Sequence, residues 1–156
     1  MKTECPDTPA ELKARALRHL VRREHSRAEL ARKLAPHAES EEALNAVLDV
    51  LLSRKQLSDE RFAEERARSL SRKYGAAKIR QDLKSKGIAE EIVNSISSEG
   101  EVERAKAIVA RKYREPAVTR EERARRARFL QGRGFSYDVI RRALDVSFAD
   151  GEQQNI

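Results

Sequence analysis

The chain of 156 residues has no tryptophan, one cysteine, one methionine, four prolines and six glycines, and only 4% of it is aromatic. Each shortage excludes something. With Cys5 alone, no internal disulfide can form, and a reducing, cytoplasmic setting is the natural expectation. Aromatic and β-branched residues are too sparse to line a sheet. No apolar run approaches the roughly 20 residues that a membrane span needs. Met1–Ala10 lacks the apolar stretch of a signal peptide, so neither membrane insertion nor secretion is expected. What is abundant is Ala, Leu, Arg, Lys and Glu, all good helix formers. Hydrophobic residues at 39% beside charged residues at 38% make a thin core for one sphere. Several small helical modules suit this composition better.

An internal repeat supports that division. Leu83, Gly87, Ile88 and Ile92 recur 47 residues later as Leu130, Gly134, Phe135 and Val139. In both copies a helical pattern closes on a glycine flanked by basic residues, and a short apolar-periodic segment follows. A fixed period of this size marks stacked supersecondary units, which present a surface rather than a closed pocket.

Helix signals then divide the chain into three groups of three. Thr8, Pro9 and Glu11 offer an N-cap, a proline at the first helical position and a capping-box acid. They open a helix to about Glu24, with Ala14, Leu17, Leu20 and Val21 as its expected inward stripe. Ser26 with Glu29 opens a second helix that Pro36 ends, and Leu44, Val47, Leu48, Leu51 and Leu52 mark a third. In the next group Ser58 caps a helix with Phe62, Ala63, Leu70 and Tyr74 inward. Gly75 breaks it, a helix carrying Ile79 and Leu83 runs to Gly87, and Ile88, Ile92, Val93 and Ile96 form a short last helix. In the final group Ala105, Ile108, Val109 and Tyr113 define one helix and Pro116 interrupts. Thr119 with Glu122 caps an arginine-rich helix that should bury Ala124, Ala127 and Leu130, and Ser136 and Asp138 open the last helix through Leu144. The expectation is an all-α, elongated tandem array of three helix-turn-helix-like repeats, at 8–57, 58–99 and 100–148, with about nine helices. Residues 1–7 and 149–156 should be flexible tails, and Gly151–Ile156 disordered.

The net charge of +7 is uneven: the last repeat and its tail hold 13 basic against 9 acidic residues. Arg120, Arg123, Arg125, Arg126, Arg128 and Arg133 crowd into one helix and its closing turn. A solvated face pairing with Glu121 and Glu122 is the plain account, but the arginines outnumber the acids. The excess favours an acidic partner, either phosphate or a carboxylate-rich protein face. Chemistry of other kinds finds little support. His19, His25 and His37 lack the spacing of four that puts two metal ligands on one helical face, and read as surface or helix-end residues. Cys5 has no base near it in sequence, and Gly132-Arg133-Gly134 follows a helix, so it reads as a helix stop rather than a phosphate loop. No catalytic residue, metal or cofactor is expected. Tyr74 and Tyr113 stand at apolar-stripe positions, which makes them core residues before base-stacking ones.

Three segments resemble one known family. SDERFAEERARSLSRKYGAAKIRQDLKSKGI, Ser58 to Ile88, and RARRARFLQGRGFSYDVIRRAL, Arg123 to Leu144, look like the second and third repeats of the RecX family of recombinase regulators. HSRAELARKL, His25 to Leu34, fits its first repeat, and the resemblance spans about residues 10 to 148. DERFAE, the KGI turn and RFLQGRGF occur together and in order. The resemblance implies a non-enzymatic, cytoplasmic modulator that binds the RecA nucleoprotein filament and inhibits its extension, ATP hydrolysis, strand exchange and coprotease activity. It implies no cofactor, and the chain is expected to be a monomer with at most weak, non-specific DNA contact. The alternative is a basic helical-repeat protein that binds DNA independently of RecA. Within the resemblance, charge density and expected exposure single out Arg66, Arg72, Lys73, Lys78, Arg80 and Lys84 in the second repeat. In the third they single out Arg123, Arg125, Arg126, Arg128 and Arg133. Phe62, Gly75, Ile79, Leu83, Gly87, Leu130, Gly134 and Phe135 match the repeat pattern as structural positions.

Overall fold

A computed structural model describes residues 5–144. The disorder expected for Gly151–Ile156, and most of both expected tails, lies outside the described residues. Among the described residues there is no strand, and nine α-helices follow one another. They are α1 Pro9–Arg22, α2 Arg27–Leu34, α3 Glu41–Ser53, α4 Asp59–Leu70, α5 Ala76–Ser85, α6 Glu90–Asn94, α7 Glu101–Lys112 and α8 Arg120–Gly132. The ninth, α9, covers residues 137–144. A 3-10 turn at Ala35–His37 carries Pro36 after α2. The result is an all-α tandem array of three-helix domains. No described helix is long and apolar enough to cross a membrane.

Local chemistry sets the helix starts. Thr8 and Glu11 form a reciprocal capping box on α1, and Thr119 and Glu122 form another on α8. Each satisfies donors that would otherwise be orphaned, worth about 1 kcal/mol. The Glu122 carboxyl sits below its usual range because the Val118 and Thr119 amides donate to it. Ser58 Oγ accepts from the Arg61 amide at 3.2 Å, as its position before α4 predicts.

By packing, the described chain forms two compact units. One holds residues 5–66 and 83–95, and the other holds 67–82 and 96–144. In the first, α1, α2 and α3 pack on one another around Leu12, Ala16, Leu30, Leu34, Leu48, Leu51 and Leu57. A leucine buried to this extent contributes about 1.5 to 3 kcal/mol. The phase of α1 differs from the expected stripe. Leu17 and Leu20 are half-buried against the core, but Ala14 is exposed and Val21 is 86% exposed. Leu12 and Ala16, four residues apart and so on one helical face, are the residues turned fully inward instead. In the second unit Ala105, Ile108, Val109, Leu130, Phe135, Ile140 and Ala143 form the core. There too one expectation fails: Ala124 is exposed, and α8 turns Ala127, Phe129 and Leu130 toward the core.

One joint is built twice, once inside each unit. In the first, the start of α2 docks on the turn between α5 and α6. Ser26 Oγ donates to the Lys86 carbonyl at 2.9 Å, and the Arg27 amide donates to Asp59 at 2.7 Å. Gly87 has φ +80°, and a Cβ on it would sit 2.6 Å from the Ala28 Cβ. In the second unit the start of α5 docks on the turn between α8 and α9. The Gly75 amide donates to the Arg133 carbonyl at 2.7 Å, and the Ala76 amide donates to Glu101 at 2.5 Å. Gly134 has φ +90° and lies against Lys78, while a Cβ on Gly75 would sit 2.5 Å from the Gly134 carbonyl oxygen. In both, a carboxylate on the first residue of a helix, Asp59 of α4 or Glu101 of α7, caps another helix where its dipole favours negative charge. The glycine pattern that repeats at 47 residues is the receiving half of this joint.

Candidate functional site

Three helix C-termini converge in the second unit. After α4 the chain tightens, with the Lys73 and Tyr74 amides both bonded to the Leu70 carbonyl, and this turn sets out Arg72, Lys73 and Tyr74. The last turn of α7 brings Arg111 and Lys112. The residue that closes α8, Arg133, donates its amide to the Phe129 and Leu130 carbonyls at 3.1 Å. Together with Ile108 and Phe129 these residues line a groove of about 570 Å³. Five of its eight lining residues are cations and none is an acid. The C-terminal ends of helices favour positive charge, which offsets part of the repulsion among the five.

Three of the five cations are held in place. The Arg133 guanidinium carbon lies 5.4 Å from the Tyr74 ring centre and 5.1 Å from that of Phe129. Lys112 Nζ lies 4.2 Å above Phe129, and Lys78 Nζ lies 5.0 Å from the Tyr74 ring centre. Arg111 donates to the Arg72 carbonyl at 2.5 Å and Arg133 to that of Lys73 at 3.5 Å. Tyr113 meets Phe129 edge to face, with ring centres 6.0 Å apart. Such cation–aromatic contacts fix long side chains that would otherwise be mobile.

The residues expected from sequence scatter more than their crowding suggests. Arg72, Lys73 and Arg133 come together in the groove, and Lys78 stands beside it, donating to the Gly132 carbonyl at 3.1 Å. Arg80 is half-buried and bonds the Ile96 carbonyl at 3.4 Å, which gives it a structural tie. Arg66 and Lys84 belong to the first unit. On α8, Arg125 and Arg128 are exposed and Arg123 is half-buried. Arg126 folds back over Tyr113, 4.6 Å from its ring centre, and donates to the Glu115 carbonyl at 2.5 Å. Two groove cations, Arg111 and Lys112, were absent from the expected set. Their signal in the sequence is the basic pair directly before Tyr113. Tyr74 and Tyr113 are half-buried and serve cations as much as core.

One histidine, at a helix end, is buried: His25 lies between α1 and α2 and is 2% exposed. Its Nδ1 lies 3.0 Å from the Arg23 carbonyl and its Nε2 lies 3.0 Å from Lys33 Nζ. An ammonium can only donate, so Nε2 accepts and Nδ1 carries the proton. Burial first, and then the charges of Arg23 and Lys33, hold this imidazole below its usual value of 6.5.

Comparison with known proteins agrees along the whole array. Residues 13–51, 58–95 and 99–144 match the first, second and third three-helix domains of RecX. The chain is 42% identical over 154 residues to "Regulatory protein RecX" of Ralstonia nicotianae, covering 95% of this chain and 97% of that protein. It is 42% identical over 146 residues to the protein of the same name from Neisseria meningitidis serogroup B, covering 92% and 95%. A crystal structure of RecX from Lactobacillus salivarius superposes with a TM-score of 0.77 at 23% identity, covering 88% of this chain and 97% of that one. At that identity the likeness speaks for the fold.

Proposed function

The chain belongs to the RecX family of regulatory proteins, and from that premise we propose that it binds the RecA nucleoprotein filament and restrains it without catalysing a reaction. The effects are less filament extension and lower ATP hydrolysis, strand exchange and coprotease activity, in the cytoplasm and as a monomer. The observation that carries the reading is a full set of three RecX domains joined to a groove with five cations and no acid. A filament of protein on DNA is a polyanion that offers repeated binding surfaces, and a basic helical array meets it through steered, salt-sensitive contacts. Arg125 and Arg128, exposed on α8, extend the cationic surface available to it.

The test is a titration of the purified chain into RecA on single-stranded DNA with ATP. Hydrolysis should fall at substoichiometric protein; no change at equimolar protein and low salt refutes the reading. The groove also favours a second reading, a DNA-binding protein that acts without RecA. Its sign would be DNA affinity undiminished in the absence of RecA, with a slope of about 0.9 in log K against log salt for each duplex phosphate neutralised.

A further inference from the structure

We propose that the groove lined by Arg72, Lys73, Arg111, Lys112 and Arg133 is a site for clustered phosphates, in which Tyr74 and Phe129 serve as posts for cations and not as platforms for bases. This goes beyond filament regulation, because it assigns a ligand class to one site and names residues outside the set that sequence suggested.

The rings carry the argument. An aromatic side chain that stacks a nucleic-acid base must offer it an open face. Here Arg133 and Lys112 lie over Phe129, and Arg133 and Lys78 lie over Tyr74. With those faces taken by the protein's own cations, a ligand is met through its anionic oxygens and its bases go unread. The same contacts restrict Lys112 and Arg133 before any ligand arrives, which lowers the entropy cost of binding. Arg111 and Arg133 each spend donors on a carbonyl of the Arg72–Lys73 turn, and a guanidinium has five N–H groups, so donors remain for the groove. Cations converge from three chain segments on one concavity without a carboxylate. Closely spaced phosphates, with oxygens on every side, match that convergence better than single carboxylates on separate flexible stems. The volume of about 570 Å³ is within the range of small-ligand sites. Two sources offer this chemistry, the phosphodiester backbone of a strand and a free nucleoside triphosphate.

The experiment is fluorescence anisotropy of a labelled oligothymidylate with the full chain and no RecA, competed by inorganic triphosphate, by ATP and by a polyglutamate peptide. Triphosphate should displace the strand far better than polyglutamate. Arg111→Ala with Lys112→Ala should weaken strand binding at least about tenfold and reduce the log–log salt slope by about 1.4, at about 0.7 per single-strand phosphate. Tyr74→Leu with Phe129→Leu, which leaves the charge unchanged, should cost about three- to tenfold with the slope retained. ATP binding without strand binding identifies the free nucleotide as the source; strand binding that ATP cannot displace identifies the backbone. Polyglutamate competing equally overturns the proposal, as does unaltered binding in the Arg111 and Lys112 variant or in a ring variant of native helicity. A chain that binds strands in this way but leaves RecA hydrolysis untouched removes the filament reading and keeps the groove. Filament inhibition with no phosphate binding does the reverse.

Discussion

Gly134→Ala should destabilise the second unit far more than an alanine at an ordinary left-handed glycine. Gly134 holds φ +90°, and a Cβ there would meet the Lys78 Cβ and stand 2.7 Å from the Lys78 amide nitrogen. The left-handed conformation costs an alanine about 1 to 2 kcal/mol. Relief of the clash, against a helix backbone that cannot yield as a side chain can, adds about 1 to 3 kcal/mol. Any separation also lengthens the Gly75 amide bond to Arg133 and the 3.2 Å bond from the Ala77 amide to Gly134, for about 1 kcal/mol more. The expected total is about 3 to 6 kcal/mol. Gly100→Ala is the control, because Gly100 has φ +75° and nothing within 4 Å of its would-be Cβ, so only the conformational cost of about 1 to 2 kcal/mol applies. Urea unfolding by circular dichroism gives the loss. Hydrogen exchange at Ala77 locates it, which matters in a chain of two compact units where a single two-state transition is not assured. If the two variants fall within about 0.5 kcal/mol of each other, or Ala77 keeps its protection, close approach is not what holds this joint.

Three further outcomes follow from burial and charge. Leu83 is fully buried, and Leu83→Ala should cost about 2 to 5 kcal/mol in chemical denaturation; an unshifted midpoint would remove it from the core. Because burial and the charges of Arg23 and Lys33 hold His25 below its ordinary 6.5 in the fold, its contribution is complete above about 6.5 and is lost as pH falls from there toward the lower folded value. Melting temperature should therefore drop between about pH 7 and 5 in the native chain, and a His25→Gln variant should flatten that drop; equal slopes would refute the placement. Glu29 behaves in the same direction at lower pH. The hydrogen bond from Arg23 lowers its carboxyl to about 2, so its stabilisation is present above about 4.5 and lost between there and about 2.

Local rules made most helices readable. Capping boxes at Thr8 and Thr119, Gly87 and Gly134 as stops, and Ser58 as a cap are each decided by a few neighbouring residues. Helix phase was less secure where small residues offered two apolar stripes, so Ala14, Val21 and Ala124 were placed inward and prove exposed. The site was legible as excess positive charge but not as geometry. Arg126 and Arg133 read as free cations, but aromatic rings from distant segments fix them. Arg111 and Lys112 join Arg72 and Lys73 only because helices some 40 residues apart end at one place. The paired joints were visible in half: the glycines repeat in sequence, whereas the capping acids Asp59 and Glu101 are recognisable only from the amides they accept.

A concavity with five positive side chains and no negative one leaves its charge balance to the surrounding solution. Whatever anion enters becomes a thermodynamic component of the folded state, stabilising it in proportion to the logarithm of its concentration once that exceeds its dissociation constant. Phosphate, sulfate and chloride buffers are then different environments for this molecule rather than interchangeable backgrounds, and its apparent robustness is a joint property of protein and medium.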